Sequence, residues 1–285
     1  EEKLKALASK QTDIVVNNTI SDSTQSGSSD TPAAEKINES RFSQFYEINN
    51  DFVGWIKVPG TNFDYPVTQT TDNEYYLKTD FYGNPTDMGN IFADYTVPIA
   101  DGKNPPNTIL YGHNMRTKYQ FQALMSYKRR DFLENFPTIE FDTLYSNNTY
   151  KIFAMFLVNT REEHGEVFYY HMKTTFKDQD DFNSYVAEAM DRSYYHTGVD
   201  LKYGDEIITL STCDFSSFAD LRFVVMARKI RLDDPDDSVT IAPEDITENE
   251  NQKFFDAYYD AFGGKPEEPY VHDWDTSLIE GFDDN

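Results

Sequence analysis

Apolar residues recur along the chain with two periods, one typical of strands and one typical of helices. The segment VGWIKVPG, from residue 53, alternates as a strand and ends in a turn. Further strand candidates lie at 89–95, 107–113, 138–145, 149–160, 205–213 and 222–232. The residues SNN join two of them and predict a hairpin. Seven or eight strands with few helices favour a mainly β fold, a closed or nearly closed barrel, over a parallel βαβ sheet.

Helical periodicity is clearest at 178–193, where the apolar positions are Phe182, Tyr185, Val186, Ala189 and Met190. A shorter N-terminal helix is indicated around residues 42–48, where Phe42, Phe45, Tyr46 and Ile48 fall roughly on one face. The segment NQKFFDAYYDAFGG, 251–264, predicts an aromatic-faced helix that ends in glycine.

Composition divides the chain into three parts. Residues 1–40 include a Ser-, Gly- and Thr-rich stretch typical of a flexible tether. Residues 41–232 hold almost all of the predicted elements and are the expected folded domain. Residues 233–285 form an acidic tail with 17 Asp and Glu against two Lys. A cover, a partner-docking arm and solvated filler are all compatible with this tail, and its charge favours the last.

Charge and cysteine content exclude several classes of function. A net charge of −25 and an isoelectric point near 4.4 oppose binding to nucleic acid, which depends on Lys and Arg. One cysteine cannot form an internal disulfide, and no Cys/His cluster has zinc-like spacing. No run of about 18 apolar residues predicts a membrane span, although an anchor before Glu1 would leave no trace.

The single cysteine, Cys213, stands where an apolar strand stops and a polar loop starts. A free cysteine is often a small buried hydrophobe, and this alternative stays open. Thr212 and Asp214 flank it, however, and a filler cysteine would sit in the middle of a strand. A thiol at a strand end is a candidate nucleophile, provided that a neighbouring group handles its proton.

The best candidate for that group is His113, which ends the predicted strand NTILYG and should project into a loop-lined opening. His164 lies in the acidic stretch REEHGE, where a metal site with Glu162 and His171 is a weak alternative. Packing or hydrogen bonding is expected for His171 and His196, and His272 lies in the tail.

Arg222 follows Cys213 by nine residues, which is enough for a loop to return the chain as an antiparallel neighbour. Its fixed donors suit it to hold a substrate carbonyl or a developing oxyanion. The alternative is a surface ion pair with Asp214 or Asp220. Arg228 has the same strand parity but lies about 20 Å farther along, which makes it a poor rival.

Three motifs, ILYGHNM, TLSTC and LRFVV, resemble in order and spacing those of the sortases, the cysteine transpeptidases of Gram-positive cell surfaces. Residues 48–77 resemble the opening of class B sortases, and the 178–193 helix is similar to their insertion before the cysteine strand. The resemblance covers 41–232. It implies an eight-stranded barrel with an N-terminal helix and this long inserted helix.

By this resemblance Cys213 is the nucleophile, His113 the general acid and base, and Arg222 the group that orients substrate and stabilises the oxyanion. The positions matching the substrate groove of class B members are Asn73, Leu77, Tyr170, Ser211 and Asp214. The stretch DNEYYL is equally compatible with a helical turn whose Tyr and Leu only pack.

The resemblance also implies partners and location. A surface protein with a C-terminal sorting signal would be cleaved after threonine and joined to an amine of a peptidoglycan precursor or a pilin. An N-terminal anchor would hold the enzyme on the outer face of the cell membrane. No cofactor or metal is implied, including the Ca²⁺ of class A members.

Other interpretations of the same sequence compete with this one. Papain-like and NlpC/P60-type hydrolases are disfavoured because their cysteine usually precedes the histidine and opens a helix. A barrel that binds peptides or cell wall without chemistry, or a peptidase that only hydrolyses, fits the same strands. Alkylation of the native thiol would separate a catalytic cysteine from an inert one.

Overall fold

A computed structural model describes residues 36–99, 105–114, 120–214, 221–234 and 239–262. For residues 213, 214, 261 and 262 it describes the backbone alone. Most of the expected tether and the chain after residue 262 lie outside these ranges, as does the loop between Asp214 and Leu221.

Eight strands form a closed barrel, which confirms the predicted fold class. They are β1 (Phe52–Lys57), β2 (Asp64–Thr68), β3 (Ile91–Ala93), β4 (Asn107–Tyr111), β5 (Thr138–Thr143), β6 (Thr149–Asn159), β8 (Ile207–Asp214) and β9 (Leu221–Lys229). Around the barrel they follow the order β1-β2-β3-β4-β8-β9-β6-β5. Strand β7 (Tyr195–His196) pairs outside the barrel with β10 (Thr247–Glu248).

Strand β2 has no counterpart among the predicted strands, because Pro66 interrupts its pattern and proline lacks the N–H that a central strand donates. The pairing avoids the conflict. Strand β3 is in register only with Val67 and Thr68, so Pro66 precedes the part of β2 with neighbours on both sides.

The predicted hairpin of β5 and β6 is confirmed, whereas β4 and β8 pair in parallel. Parallel neighbours need a long connection, and here the chain between Tyr111 and Ile207 includes two other barrel strands and the longest helix. The crossover brings β4, which ends two residues before His113, and β8, which contains Cys213, side by side.

The α-helices in the described ranges are α1 (Glu39–Ile48), α2 (Arg130–Asn135), α3 (Gln179–Arg192) and α4 (Asp256–Phe262). Helix α3 agrees closely with the predicted 178–193, and Asp178 caps it by accepting from the Asp181 N–H. Helix α1 buries Phe42 and Phe45 in a small aromatic cluster with Phe52 and Trp55. Short 3₁₀ helices cover Tyr75–Leu77, Phe121–Lys128, Glu162–His164, Tyr170–Met172 and Pro243–Asp245.

Part of the acidic tail is packed rather than solvated. The buried apolar side chains of this segment are Ile241, Ile246, Phe254, Phe255 and Tyr258. The Asn249 side chain donates to the carbonyls of Met190, Asp191 and Ser193, which closes the C-terminal end of α3. The solvated role favoured above is therefore wrong for residues 241–258, whose apolar side chains join the main core.

Among the described helices, none is both long enough and apolar enough to cross a bilayer.

Candidate active site

Three adjacent strands bring the predicted catalytic positions together. Strand β8 lies between β4 and β9. Cys213 is directly opposite Arg222 in the antiparallel ladder. On the other side Tyr111 is in register with Ser211, and the Gly112 N–H continues the contact by donating to the Ser211 carbonyl at 3.3 Å. His113 lies two residues after Tyr111, and Cys213 lies two residues after Ser211. Because β4 and β8 run parallel, the two residues are at corresponding positions in the chain beyond this pair.

The imidazole of His113 is partly exposed and lies 2.8 Å through its Nε2 from the Leu77 carbonyl oxygen. A carbonyl can only accept, so Nε2 carries the proton in the neutral ring. The other nitrogen, Nδ1, is then the basic one. This contact also links Leu77, a predicted substrate-binding residue, directly to the predicted acid and base.

Arg222 is half-buried, and its Nη1 donates to the carbonyl of Leu221 at 3.0 Å. Arg228, its weaker rival, is fully buried toward the other end of β9 and pairs with Asp234 at 2.8 Å. The carboxylates of Asp200 and Asp234 balance the charge of Arg228 there. Arg222 is thus the arginine of β9 that lies opposite the cysteine.

Tyr170 and Ser211 are both buried, and their hydroxyl oxygens lie 2.6 Å apart. The Tyr185 hydroxyl from helix α3 donates to the Tyr170 carbonyl at 3.1 Å. Two predicted substrate-binding residues are therefore brought together, but as an internal contact that supports the wall beside β8.

Asn73 belongs to a polar cluster that its sequence context did not reveal. Its Nδ2 donates to Asp94 Oδ2 at 2.9 Å, and its Oδ1 accepts from the Tyr95 N–H at 3.0 Å. The Tyr111 hydroxyl also donates to Asp94 Oδ2, at 2.9 Å. Burial and the Asp94 charge raise the pKa of Tyr111. A polar residue directly after the buried strand IFA was the available signal for Asp94.

His171 packs against neighbouring aromatic rings, as its sequence context predicted. Its ring is 5.5 Å from that of Tyr170. Partial burial lowers the pKa of His171, the charge of Asp94 opposes this, and the positive charge of Arg222 adds to it. Its place beside Tyr170 was not predicted, because the preceding loop has no periodic pattern.

Asp214 is the last residue of β8 and is paired through its backbone with Leu221. The described residues contain no group of three His, Cys, Asp or Glu arranged to hold a metal. The weak alternative of a metal held by Glu162, His164 and His171 is therefore wrong.

Comparison with known proteins gives a consistent result. The sortase domain model matches residues 56–230. A sortase B of Listeria monocytogenes is 36% identical over 170 residues, 59% of this chain and 65% of that protein. A sortase B of Staphylococcus aureus is 33% identical over 193 residues, 67% of this chain and 75% of that protein.

A solved Staphylococcus aureus sortase B–substrate complex superimposes with a TM-score of 0.61 at 33% identity, and the match covers 68% of this chain and 86% of that one. The chain matches just under two thirds of the length of the Listeria relative. The matched region contains every barrel strand from Ile56 onward together with all three predicted catalytic positions. On these grounds, the chain belongs to the sortase family, class B.

Proposed function

We propose that this chain is a transpeptidase in which Cys213, His113 and Arg222 act together on the sorting signal of a surface protein. The observation that carries the proposal is the register of three neighbouring strands, with Cys213 opposite Arg222 and the end of β4 alongside β8. A nucleophile, a proton carrier and a fixed cation at one barrel end are the groups that acyl transfer requires.

In the first step the Cys213 thiolate, whose proton has passed to His113, attacks the carbonyl carbon of a threonine, and the carbonyl oxygen gains negative charge. Arg222 donates hydrogen bonds to that oxygen. The C–N bond then breaks, the leaving amine takes a proton from the His113 imidazolium, and a thioester remains on Cys213.

In the second step an incoming amine attacks the thioester carbon and gives a proton to His113. The C–S bond breaks and the thiolate returns with its electron pair. A new amide bond joins the surface protein to the acceptor, so the overall reaction exchanges one amide for another. Nδ1 is the nitrogen that moves the proton in each step, since Nε2–H is held by the Leu77 carbonyl.

The proposed substrate-binding residues include one with a solvent-exposed side chain and two with buried side chains. Leu77 is 37% exposed and can contact the peptide directly. Tyr170 and Ser211 are buried and act by shaping the groove wall, while Asn73 is oriented by Asp94. Asp214 completes the set at the end of the cysteine strand. A related Staphylococcus aureus structure is named as a substrate complex, which supports a peptide groove at this site.

The partners follow from the chemistry. Surface proteins with a sorting signal supply the acyl group, and a peptidoglycan precursor or a pilin supplies the amine. Residues 1–40 tether the catalytic domain, 41–232, to the outer face of the membrane, and 233–285 form a tail whose residues 241–258 support the barrel.

The test is to incubate the protein with threonine-containing sorting peptides and triglycine and to follow adducts by mass spectrometry. We expect a thioester on Cys213, a triglycine-joined product, and neither in Cys213→Ala. His113→Ala should lose turnover, whereas His196→Ala, at an exposed position on β7, should retain it.

The failures are distinct. Released peptide without the joined product would indicate a hydrolase, and bound peptide without acylation would indicate a binding barrel. A native Cys213 that resists an alkylating reagent but reacts after unfolding would reject both catalytic interpretations.

A further inference from the structure

Gln120 combines a strained backbone with a buried amide beside His113. Its φ of 57° lies in the left-handed region, and it is the one non-glycine residue of the described chain with positive φ. Glycine adopts such a backbone more easily. The residue is only 6% exposed, so its amide is not placed there for contact with water. A strained, buried glutamine implies that its amide supplies something that glycine cannot.

That amide joins two separate parts of the site. Its Oε1 accepts a hydrogen bond of 3.2 Å from the backbone N–H of His113. Its Nε2 donates to the carbonyls of Met88 at 2.6 Å and Gly89 at 3.1 Å. The Gln120 backbone N–H donates in turn to the Tyr65 hydroxyl at 3.0 Å, which ties the strained residue to strand β2.

The 88–89 segment, to which the Gln120 amide donates, also contacts the backbone that binds the imidazole of His113. A Cβ on Gly89 would lie 2.3 Å from the Tyr76 carbonyl oxygen and 2.9 Å from that of Leu77, so Gly89 is packed directly against this backbone. The Leu77 carbonyl holds His113 Nε2. The main chain and the ring of His113 are therefore both fixed to the 88–89 segment, one through Gln120 and the other through Leu77.

We infer that Gln120 is a positioning residue that holds the backbone of His113 and the Leu77 carbonyl in one rigid frame. This frame keeps the proton on Nε2 and leaves Nδ1 to exchange protons with Cys213 and the reacting amines. The inference rests on the proposed role of His113, and it extends that role to a residue seven positions later, beyond the histidine motif.

Substitutions at residue 120 separate positioning from simple stability. Gln120→Gly relieves the backbone strain and deletes the amide, so we expect thermal stability close to that of the wild type. We expect kcat to fall about 10- to 100-fold, with KM changed less than about twofold, because misorientation of a proton carrier affects the chemical steps. Loss of activity without loss of stability is not expected of a residue that only supports the fold.

Gln120→Glu adds a pH signature. When protonated, its carboxyl can donate to the Met88 or Gly89 carbonyl as the amide does; when ionised, it repels both oxygens. The ratio of variant to wild-type kcat/KM should therefore be highest at low pH and fall as the carboxyl ionises. The matched control is Gln179→Glu, at an exposed position on helix α3, whose ratio should stay flat.

A third measurement needs no substrate. Nitrogen-15 NMR of the His113 ring, assigned by loss of the signal in His113→Asn, should show the Nε2–H form in the wild type and a mixture of tautomers in Gln120→Gly. An unchanged tautomer together with an unchanged kcat would overturn the inference. If no variant or wild-type protein turns over peptide, the proposed function fails, while the NMR comparison still decides the role of Gln120.

Discussion

Tyr170 and Ser211 lie 41 residues apart in the chain and share a hydrogen bond of 2.6 Å in the interior beside the cysteine strand. Tyr170 begins the 3₁₀ helix that precedes helix α3, and Ser211 belongs to β8. The contact fixes that 3₁₀ helix to the strand that carries Cys213, so each residue supports the other.

Removal of either hydroxyl should therefore destabilise the fold. We expect Tyr170→Phe and Ser211→Ala each to lower the free energy of unfolding by about 1–3 kcal/mol, the usual cost of a buried group that loses its partner. The double variant should lose less than the sum of the two. Urea unfolding of all four proteins measures this coupling, and strictly additive losses would contradict it.

Arg222→Lys should reduce kcat/KM about 100-fold or more while leaving the fold intact. An ammonium cannot reproduce the planar donor fork of a guanidinium, and loss of one oxyanion donor typically has an effect of this size. Steady-state kinetics with a sorting peptide measure it. Arg130→Lys, on the exposed face of helix α2, is the control, and full turnover by the Arg222 variant would remove this residue from the mechanism.

Two glycines offer a matched pair for the docking of the C-terminal helix. Gly165 has φ +110° and Gly204 has φ +100°, so alanine strains both backbones, at about 1–3 kcal/mol each. A Cβ at Gly165 would also lie 2.7 Å from the Asp256 N atom, whereas nothing lies within 4 Å at Gly204. Gly165→Ala should be the more destabilising variant in thermal unfolding. Equal losses would show that α4 does not pack as described.

Truncation tests the packed part of the tail. A chain ending at Leu232 lacks Phe254, Phe255 and Tyr258, whereas a chain ending at Phe262 retains them. Since removal of one buried phenylalanine side chain typically costs about 3–5 kcal/mol, the shorter chain should unfold at a lower urea concentration or aggregate. Equal midpoints for the two truncated proteins would mean that residues 233–262 do not stabilise the barrel.

Much of the architecture was predictable because it depends on local periodicity. Helix α3 and the β5–β6 hairpin have clear patterns, and the positions of Cys213 and Arg222 in a two-strand return followed from their spacing. Strand β2 was missed since Pro66 is unfavourable in isolation and is tolerated only because of which neighbours pair with it.

The supporting residues of the site could not be predicted for a different reason. Asp94 and Gln120 belong to no motif, and their roles depend on contacts with residues that are distant in sequence, such as Asn73 and Met88. In the tail, the aromatic helix was predicted. The packing of its rings into the main core was not, because the surrounding acidic residues favour a solvated segment. Hydrophobic periodicity predicts individual helices and strands, whereas contacts across the barrel can be inferred only when the strand order is known.

The parallel pairing of β4 with β8 joins Tyr111 to Ser211, 100 residues later in the chain. Contacts of such long range form slowly, because a large loop must close before any of them is gained. During synthesis, a ribosome-bound chain that has emerged only as far as residue 200 holds the imidazole of His113 but not the thiol of Cys213. The proposed site therefore cannot assemble until strands β8 and β9 have emerged, which makes its assembly a late event in folding.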